Sequence, residues 1–159
     1  MNEVSKFHTV RGYQLMEQNK KLLTSAMEDY LEMIYRYTLN QEYLRMNTLS
    51  ELLNVSAPST TTMVQKLYRL GMLEYKKHGM IFLTESGKDI GYYLLQRHEI
   101  IELFLKNLGV NENTLTETEL IEHYISATTL QKLSIFNKFI KQNPDIIQRY
   151  EQFSQYNIS

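Results

Sequence analysis

The sequence contains no cysteine. Disulfides and thiolate metal sites are therefore excluded, a reducing cytoplasm suits the chain, and any metal must be held by oxygen or imidazole. Long hydrophobic runs are missing too. Nothing approaches the roughly 18 apolar residues of a membrane span, and the polar start, with Asn2, Glu3, Ser5 and Lys6, lacks a signal-peptide core. A soluble cytoplasmic protein with no membrane partner is expected. There is no internal repeat and no low-complexity segment, and 159 residues suit one domain of ordinary size or two small ones sharing a core.

Net charge is also nearly absent, at −1, yet its distribution is uneven. Between positions 45 and 77 stand Arg45, Lys66, Arg69, Lys76 and Lys77 against only Glu51 and Glu74, a balance that suits a polyanion. Between 98 and 124, Glu99, Glu102, Glu112, Glu117, Glu119 and Glu122 face Lys106 alone, which suits a cation.

Residues 1–24 form an N-terminal extension in which Val10, Tyr13, Leu15, Met16, Leu22 and Leu23 alternate with Arg11, Lys20 and Lys21. Both a docked helix and an arm, packed on the core or touching DNA, are open for it. Ser25-Ala26-Met27-Glu28 has the form of a capping box, and Met27, Leu31, Ile34 and Tyr35 recur at helical period, so a helix is predicted over 25–39. Asp29 and Glu32, in its first two turns, are expected off that apolar stripe.

A short helix from Met46 ends at Asn54-Val55-Ser56, and a second begins at once, capped by Ser56 with Pro58 in its first turn. Met63, Val64, Leu67 and Leu70 form its expected buried stripe. Its other face carries Ser59, Thr61, Thr62, Gln65, Lys66 and Arg69, donors and cations without an acid, until Gly71 stops the helix. Met72 to Thr84 then reads as two strands around a turn tipped by Lys77, His78 and Gly79. Helix, turn, helix and hairpin is the order of a winged helix-turn-helix, whose second helix fits the major groove while a basic wing meets phosphate. Ser56, Ser59, Thr61, Thr62, Gln65, Lys66, Arg69, Lys76, Lys77 and His78 are the candidate contacts to double-stranded DNA, with His78 read as a phosphate or solvent contact and not a metal ligand.

The rest of the chain is read as helical. A long helix from Thr84 to about Leu108 is followed by one opened by a second capping box, Thr116-Glu117-Thr118-Glu119, and reaching about Ser126. Two more span 128–141 and 144–153. These helices carry more apolar surface than one thin layer can bury, so a homodimer through them is expected. The fold class is mainly α: a winged helix-turn-helix domain with a two-stranded wing over 25–84, then a helical metal-binding and dimerisation domain over 85–159.

Three patterns supply candidate metal ligands: Asp29-x-x-Glu32, His98, and Glu119-x-x-Glu122-His123. Residues three and four apart share a helix face, so Glu119, Glu122 and His123 point one way, as do Asp29 with Glu32 and His98 with Glu102. Acids at such spacing are ordinarily solvated surface. Glu119, as the last residue of a capping box, has its own backbone as a competing partner.

Together, Met27-Glu28-Asp29-Tyr30-x-Glu32, the winged helix, Arg97-His98-Glu99 and Glu119-x-x-Glu122-His123 resemble the metal-dependent transcriptional repressors of the diphtheria toxin repressor and manganese-transport regulator type, over residues 25–142. The resemblance implies a homodimeric repressor that binds operator DNA with a divalent cation as corepressor. It matches Asp29, Glu32, His98, Glu119, Glu122 and His123 to the ligands of the manganese branch, with Glu32 and Glu122 at positions able to bridge two ions. Where the iron-responsive branch uses methionine and cysteine this chain has Asp29 and Glu119, hard donors that suit Mn²⁺. Leu115 replaces an ancillary histidine, and with the sequence ending at Ser159 no third domain is expected. Mn²⁺ control of manganese-uptake genes is implied, with no small organic ligand. Fe²⁺ accepts the same ligands and Zn²⁺ binds them more tightly, so an Fe²⁺-responsive repressor is the alternative. A metal-independent winged-helix regulator is a second. A metallohydrolase is disfavoured, because neither the second histidine of His-x-x-Glu-His nor a Glu-x-x-His pair of the di-iron type is there.

Overall fold

The computed structural model describes residues 3–19 and 22–157. The extension is helical: α1 spans Glu3–Asn19, with Lys20 and Lys21 outside the described residues. It docks on the first part of a long helix, α5, Glu85–Asn107. A Cβ on Gly12 would meet the Asp89 carbonyl oxygen and lie 2.8 Å from the Tyr93 Cβ, so only glycine allows this approach. Arg11 Nε stands 2.9 Å from Asp89 Oδ2, and the Tyr13 and Tyr93 rings are 5.9 Å apart. Of the two forms open for the extension, the docked helix is the one present.

The cap of α2, Ser25–Thr38, differs from the sequence expectation. Thr24 is the N-cap, its hydroxyl accepting from the Met27 amide at 3.4 Å, so the box starting at Ser25 is out of register by one residue. Met27, Leu31 and Ile34 are buried, as the apolar period predicts, but Tyr35 is only half-buried, and Tyr30 and Glu32 are buried in addition while Asp29 is exposed. Glu32 follows Leu31 directly and so borders the stripe instead of opposing it.

The helix-turn-helix consists of α3, Met46–Leu52, and α4, Ala57–Arg69. Ser56 caps α4, and Asn54 takes a left-handed φ of 51° in the turn between. Val64 and Leu67 are buried, whereas Met63 and Leu70 are only half-buried. Thr60 completes the inner face instead: fully buried, it meets Ser50 Oγ at 2.8 Å and joins the two helices through a hydroxyl pair. Gly71, at φ 72°, ends α4.

The expected two-stranded wing is part of a three-stranded antiparallel sheet. Its members are β1, Leu44–Arg45, β2, Leu73–Lys76, and β3, Met80–Leu83, in the order β1-β3-β2. Leu44 pairs with Ile81 and Leu73 with Leu83, and a single 3-10 turn, Lys77–Gly79, links β2 to β3. Leu44, Leu73 and Ile81 are buried while Glu74, Tyr75 and Lys76 are exposed. Helix α5 also approaches α2 at Gly91, where a Cβ would lie 2.6 Å from that of Tyr35.

Residues 1–96 form one compact unit and 97–159 a second. The second contains the end of α5, then α6, Thr114–Glu122, α7, Ala127–Gln142, and α8, Pro144–Asn157. The capping box expected at Thr116 does not form. Helix α6 begins two residues earlier, after Asn113 in a left-handed conformation, and ends at His123, leaving Ser126 to cap α7 by accepting from the Thr129 amide. Buried Asn137 ties α7 to α5, donating to the Ile100 carbonyl at 2.9 Å and accepting from Asn107 at 3.1 Å. Tyr150 of α8 donates to the Leu108 carbonyl. Leu103, Ile135, Phe136, Phe139 and Phe153 remain exposed, an apolar surface of the kind that marks an interface.

Candidate functional site

The three buried positions of α6 are Thr114, Thr118 and Glu122, spaced by four residues along one face. Thr114 and Thr118 hide their hydroxyls by donating to the carbonyls of Val110 and Thr114. Glu122 continues the same stripe with a carboxylate, and it needs a partner. That partner comes from α5: His98 Nδ1 lies 3.0 Å from Glu122 Oε2, across 24 residues of sequence. Both side chains are buried, at 8% and 3% exposure.

This pair, its members hydrogen-bonded to each other, is also compatible with a divalent ion. Two ligands on adjacent corners of an octahedron with metal–ligand bonds of about 2.1 Å stand roughly 3.0 Å apart, the separation found here. One atom is an imidazole nitrogen and the other a carboxylate oxygen, both suited to Mn²⁺ or Fe²⁺ and neither to a soft-metal site. His123, the C-cap of α6, is half-buried beside Glu122, and Glu119 is exposed one turn earlier. Because α6 begins at Thr114, Glu119 sits in mid-helix and has no capping-box role. Glu102, one turn beyond His98, is engaged with Lys106 at 2.8 Å.

In the first unit, Asp29 and Glu32 occupy successive turns of α2. Glu32 Oε1 receives two hydrogen bonds from Arg36, from Nε at 2.9 Å and Nη2 at 2.6 Å. Arg36 is not among the residues singled out from the sequence, although its position four residues after a glutamate is a usable signal.

The exposed face of α4 presents Ser59, Thr61, Thr62, Gln65, Lys66 and Arg69, as expected. Their hydroxyls are partly engaged: Thr61 and Thr62 donate to the carbonyls of Ala57 and Pro58, and Ser56 bonds Ser59 at 2.8 Å. Those oxygens are left as acceptors, while the Gln65 amide can both donate and accept. In the wing, Lys76 Nζ stands 4.3 Å over the Phe82 ring, and His78 is exposed at φ 66°. The side chain of Lys77 lies outside the described residues. Arg45, not among the sequence candidates, adds an exposed cation on β1, 5.9 Å from the Tyr43 ring.

Two family models match the chain: the iron dependent repressor N-terminal DNA binding domain over residues 22–80, and the iron dependent repressor metal binding and dimerisation domain over residues 84–150. The HTH-type transcriptional regulator MntR of Lysinibacillus sphaericus (strain C3-41) is 38% identical over 129 residues, covering 80% of this chain and 93% of its own. The regulator of the same name from Bacillus subtilis (strain 168) is 36% identical over 132 residues, covering 82% and 86%. Among solved structures, the manganese regulator SloR gives a TM-score of 0.65 at 29% identity, over 74% of this chain and 55% of that one. A manganese-dependent transcriptional repressor in complex with manganese gives 0.61 at 28% identity, over 71% and 53%.

Proposed function

The chain belongs to the iron-dependent repressor family of metal-dependent transcriptional regulators, and we propose that it represses transcription from operator DNA as a cytoplasmic homodimer with Mn²⁺ as corepressor. The observation that carries this is the buried His98–Glu122 pair, whose two donor atoms already stand at the spacing of neighbouring ligands. Asp29, Glu32, Glu119 and His123 complete the ligand set in this proposal. Manganese-named relatives support the choice of ion, as does the absence of any sulfur among the donors.

Bound Mn²⁺ supplies positive charge to a set of hard donors. The side chains themselves do the rest. In this proposal Asp29, Glu32, Glu119 and Glu122 would gather at the ion, and the two buried ones, Glu32 and Glu122, carry a desolvation cost that a cation would relieve. Relief of that cost favours whichever conformation gathers them, and this biases the protein toward its DNA-binding state. Linkage then requires operator DNA to tighten metal binding by the factor with which metal tightens DNA binding. Glu32 and Glu122 are the residues that would bridge if two ions bind.

On the DNA side, Gln65 and the threonines of α4 read base edges in the major groove. Ser56, Ser59, Lys66 and Arg69 hold phosphate, joined by Lys76, Lys77 and His78 from the wing. The two recognition helices of a dimer would meet half-sites about one helical turn apart. Manganese-uptake genes are the proposed targets.

The test begins with operator DNA selected from a random duplex pool in the presence of Mn²⁺. Its affinity is then measured by fluorescence anisotropy with chelator and with Mn²⁺, Fe²⁺ or Zn²⁺ at matched free concentrations. Tight binding with Mn²⁺ and weak binding with chelator is expected. Equal affinity in the two conditions would sink the proposal, and a stronger response to Fe²⁺ than to Mn²⁺ would replace the corepressor.

A further inference from the structure

Arg36 gives both of its hydrogen bonds to one oxygen of Glu32, the residue read above as a metal ligand. Nε and Nη2 converge on Oε1 at 2.9 and 2.6 Å. The two residues are four apart on α2, so the helix itself maintains the contact. Two N–H donors on Oε1 occupy the lone-pair directions of that oxygen, so a cation bound through it would have to displace them, while Oε2 is the oxygen through which Glu32 could be shared.

Exposure separates the partners. The Glu32 side chain is 10% exposed and that of Arg36 is 38% exposed, so the carboxylate is inside and the guanidinium stands at the edge of water. Arg36 also lines an open groove with Met33, Tyr37, Asn40, Gln41 and Leu52, which gives a displaced guanidinium somewhere to lie.

We propose that Arg36 is a resident counter-ion of Glu32 that sets the metal threshold of the switch, neutralising the carboxylate in the metal-free protein and competing with the divalent cation for it. This rests on Glu32 being a ligand. A guanidinium stays charged at every physiological pH, so it cannot yield its place by losing a proton. It must swing away or share Glu32 with a second cation. Because the pair is partly open to water its strength is limited, and the competition weakens metal binding by about two- to fivefold.

A merely structural arginine would act differently. Its removal would lower stability with and without metal. A resident counter-ion, once removed, takes two charge-assisted hydrogen bonds from a buried carboxylate, so the metal-free protein loses stability while its metal affinity rises.

The experiment titrates the full chain with Mn²⁺ by calorimetry at low ionic strength, and records thermal unfolding in chelator, for wild type, Arg36→Met, Arg36→Lys and Glu32→Gln. Arg36→Met is expected to bind Mn²⁺ about two- to fivefold more tightly than wild type and to melt at a lower temperature in chelator. Arg36→Lys, with charge but no fork, should fall between them, and the differences should shrink as salt is added. Unchanged or weaker Mn²⁺ binding in Arg36→Met would overturn the proposal by showing that Arg36 does not compete for Glu32. Mn²⁺ binding in Glu32→Gln equal to that of wild type would instead remove Glu32 from the ligand set, a failure of the underlying assignment and not of the competition.

Discussion

Replacing Glu122 by glutamine should separate the metal chemistry from the fold that carries it. The side chain is 3% exposed and meets His98 Nδ1 at 3.0 Å. Glutamine has nearly the same shape, and its amide oxygen can still accept from the imidazole N–H, so packing and the hydrogen bond survive while the charge is lost. Burying an ionised carboxylate costs several kcal/mol before any pairing. The metal-free variant should therefore be as stable as wild type, within about 0.5 kcal/mol, or more stable. With metal the order reverses. Mn²⁺ at about one hundred times its Kd adds roughly 2.7 kcal/mol to the wild type, which at about 2–4 °C per kcal/mol for a chain of this size raises Tm by about 5–11 °C. If the neutral amide weakens binding about 100-fold, the same Mn²⁺ concentration adds only about 0.4 kcal/mol, a rise of about 1–2 °C. Differential scanning calorimetry across a MnCl₂ series, with chelator as the reference, reads both effects. A variant that keeps the full Mn²⁺-dependent rise would refute Glu122 as a ligand. One that melts several degrees below wild type in chelator would refute the claim that its charge is a burden to the empty site.

Three other outcomes are expected. Gln65→Ala should cost about 1–3 kcal/mol of operator affinity and relax sequence preference at one position, whereas Lys66→Ala should weaken all sequences alike and reduce the salt slope by about one; anisotropy at several salt concentrations distinguishes the two. Gly91→Val should destabilise the chain by about 1–3 kcal/mol or more in urea unfolding, because any Cβ there meets Tyr35 at 2.6 Å; a neutral result would mean that α2 and α5 do not approach as described. Gly12→Val should lift α1 from α5, since the added carbons would enter the space of Asp89 and Tyr93, and limited proteolysis should then cut within residues 3–19 faster than in wild type.

Much of the fold was legible because its signals are local. Ser56 before Pro58, the period of Met27, Leu31 and Ile34, and Gly71 after α4 each act within one or two turns of backbone. Helix starts are less legible where neighbouring residues offer competing local signals. Thr24 and Ser25 can both cap α2, and Thr24 does so, while α6 starts at Thr114 after a left-handed Asn113 and not at the box that Thr116 opens. Strand β1 was not legible at all. Two residues carry no periodicity, and Leu44–Arg45 is a strand only because β3 lies beside it.

The sequence by itself determined the inventory: hard oxygen and imidazole donors without sulfur, a polar and basic face on α4, and candidate ligands spaced for helix faces. Tertiary structure decided which of these became a site. It set Glu122 into the buried stripe that Thr114 and Thr118 begin, brought His98 against it, closed Ser50 onto Thr60, and seated α1 on α5 through Gly12. The physical reason is range. Capping and periodicity depend on neighbours a few bonds away, whereas burial of a carboxylate and the arrival of its partner depend on two helices packing so that residues 24 positions apart meet.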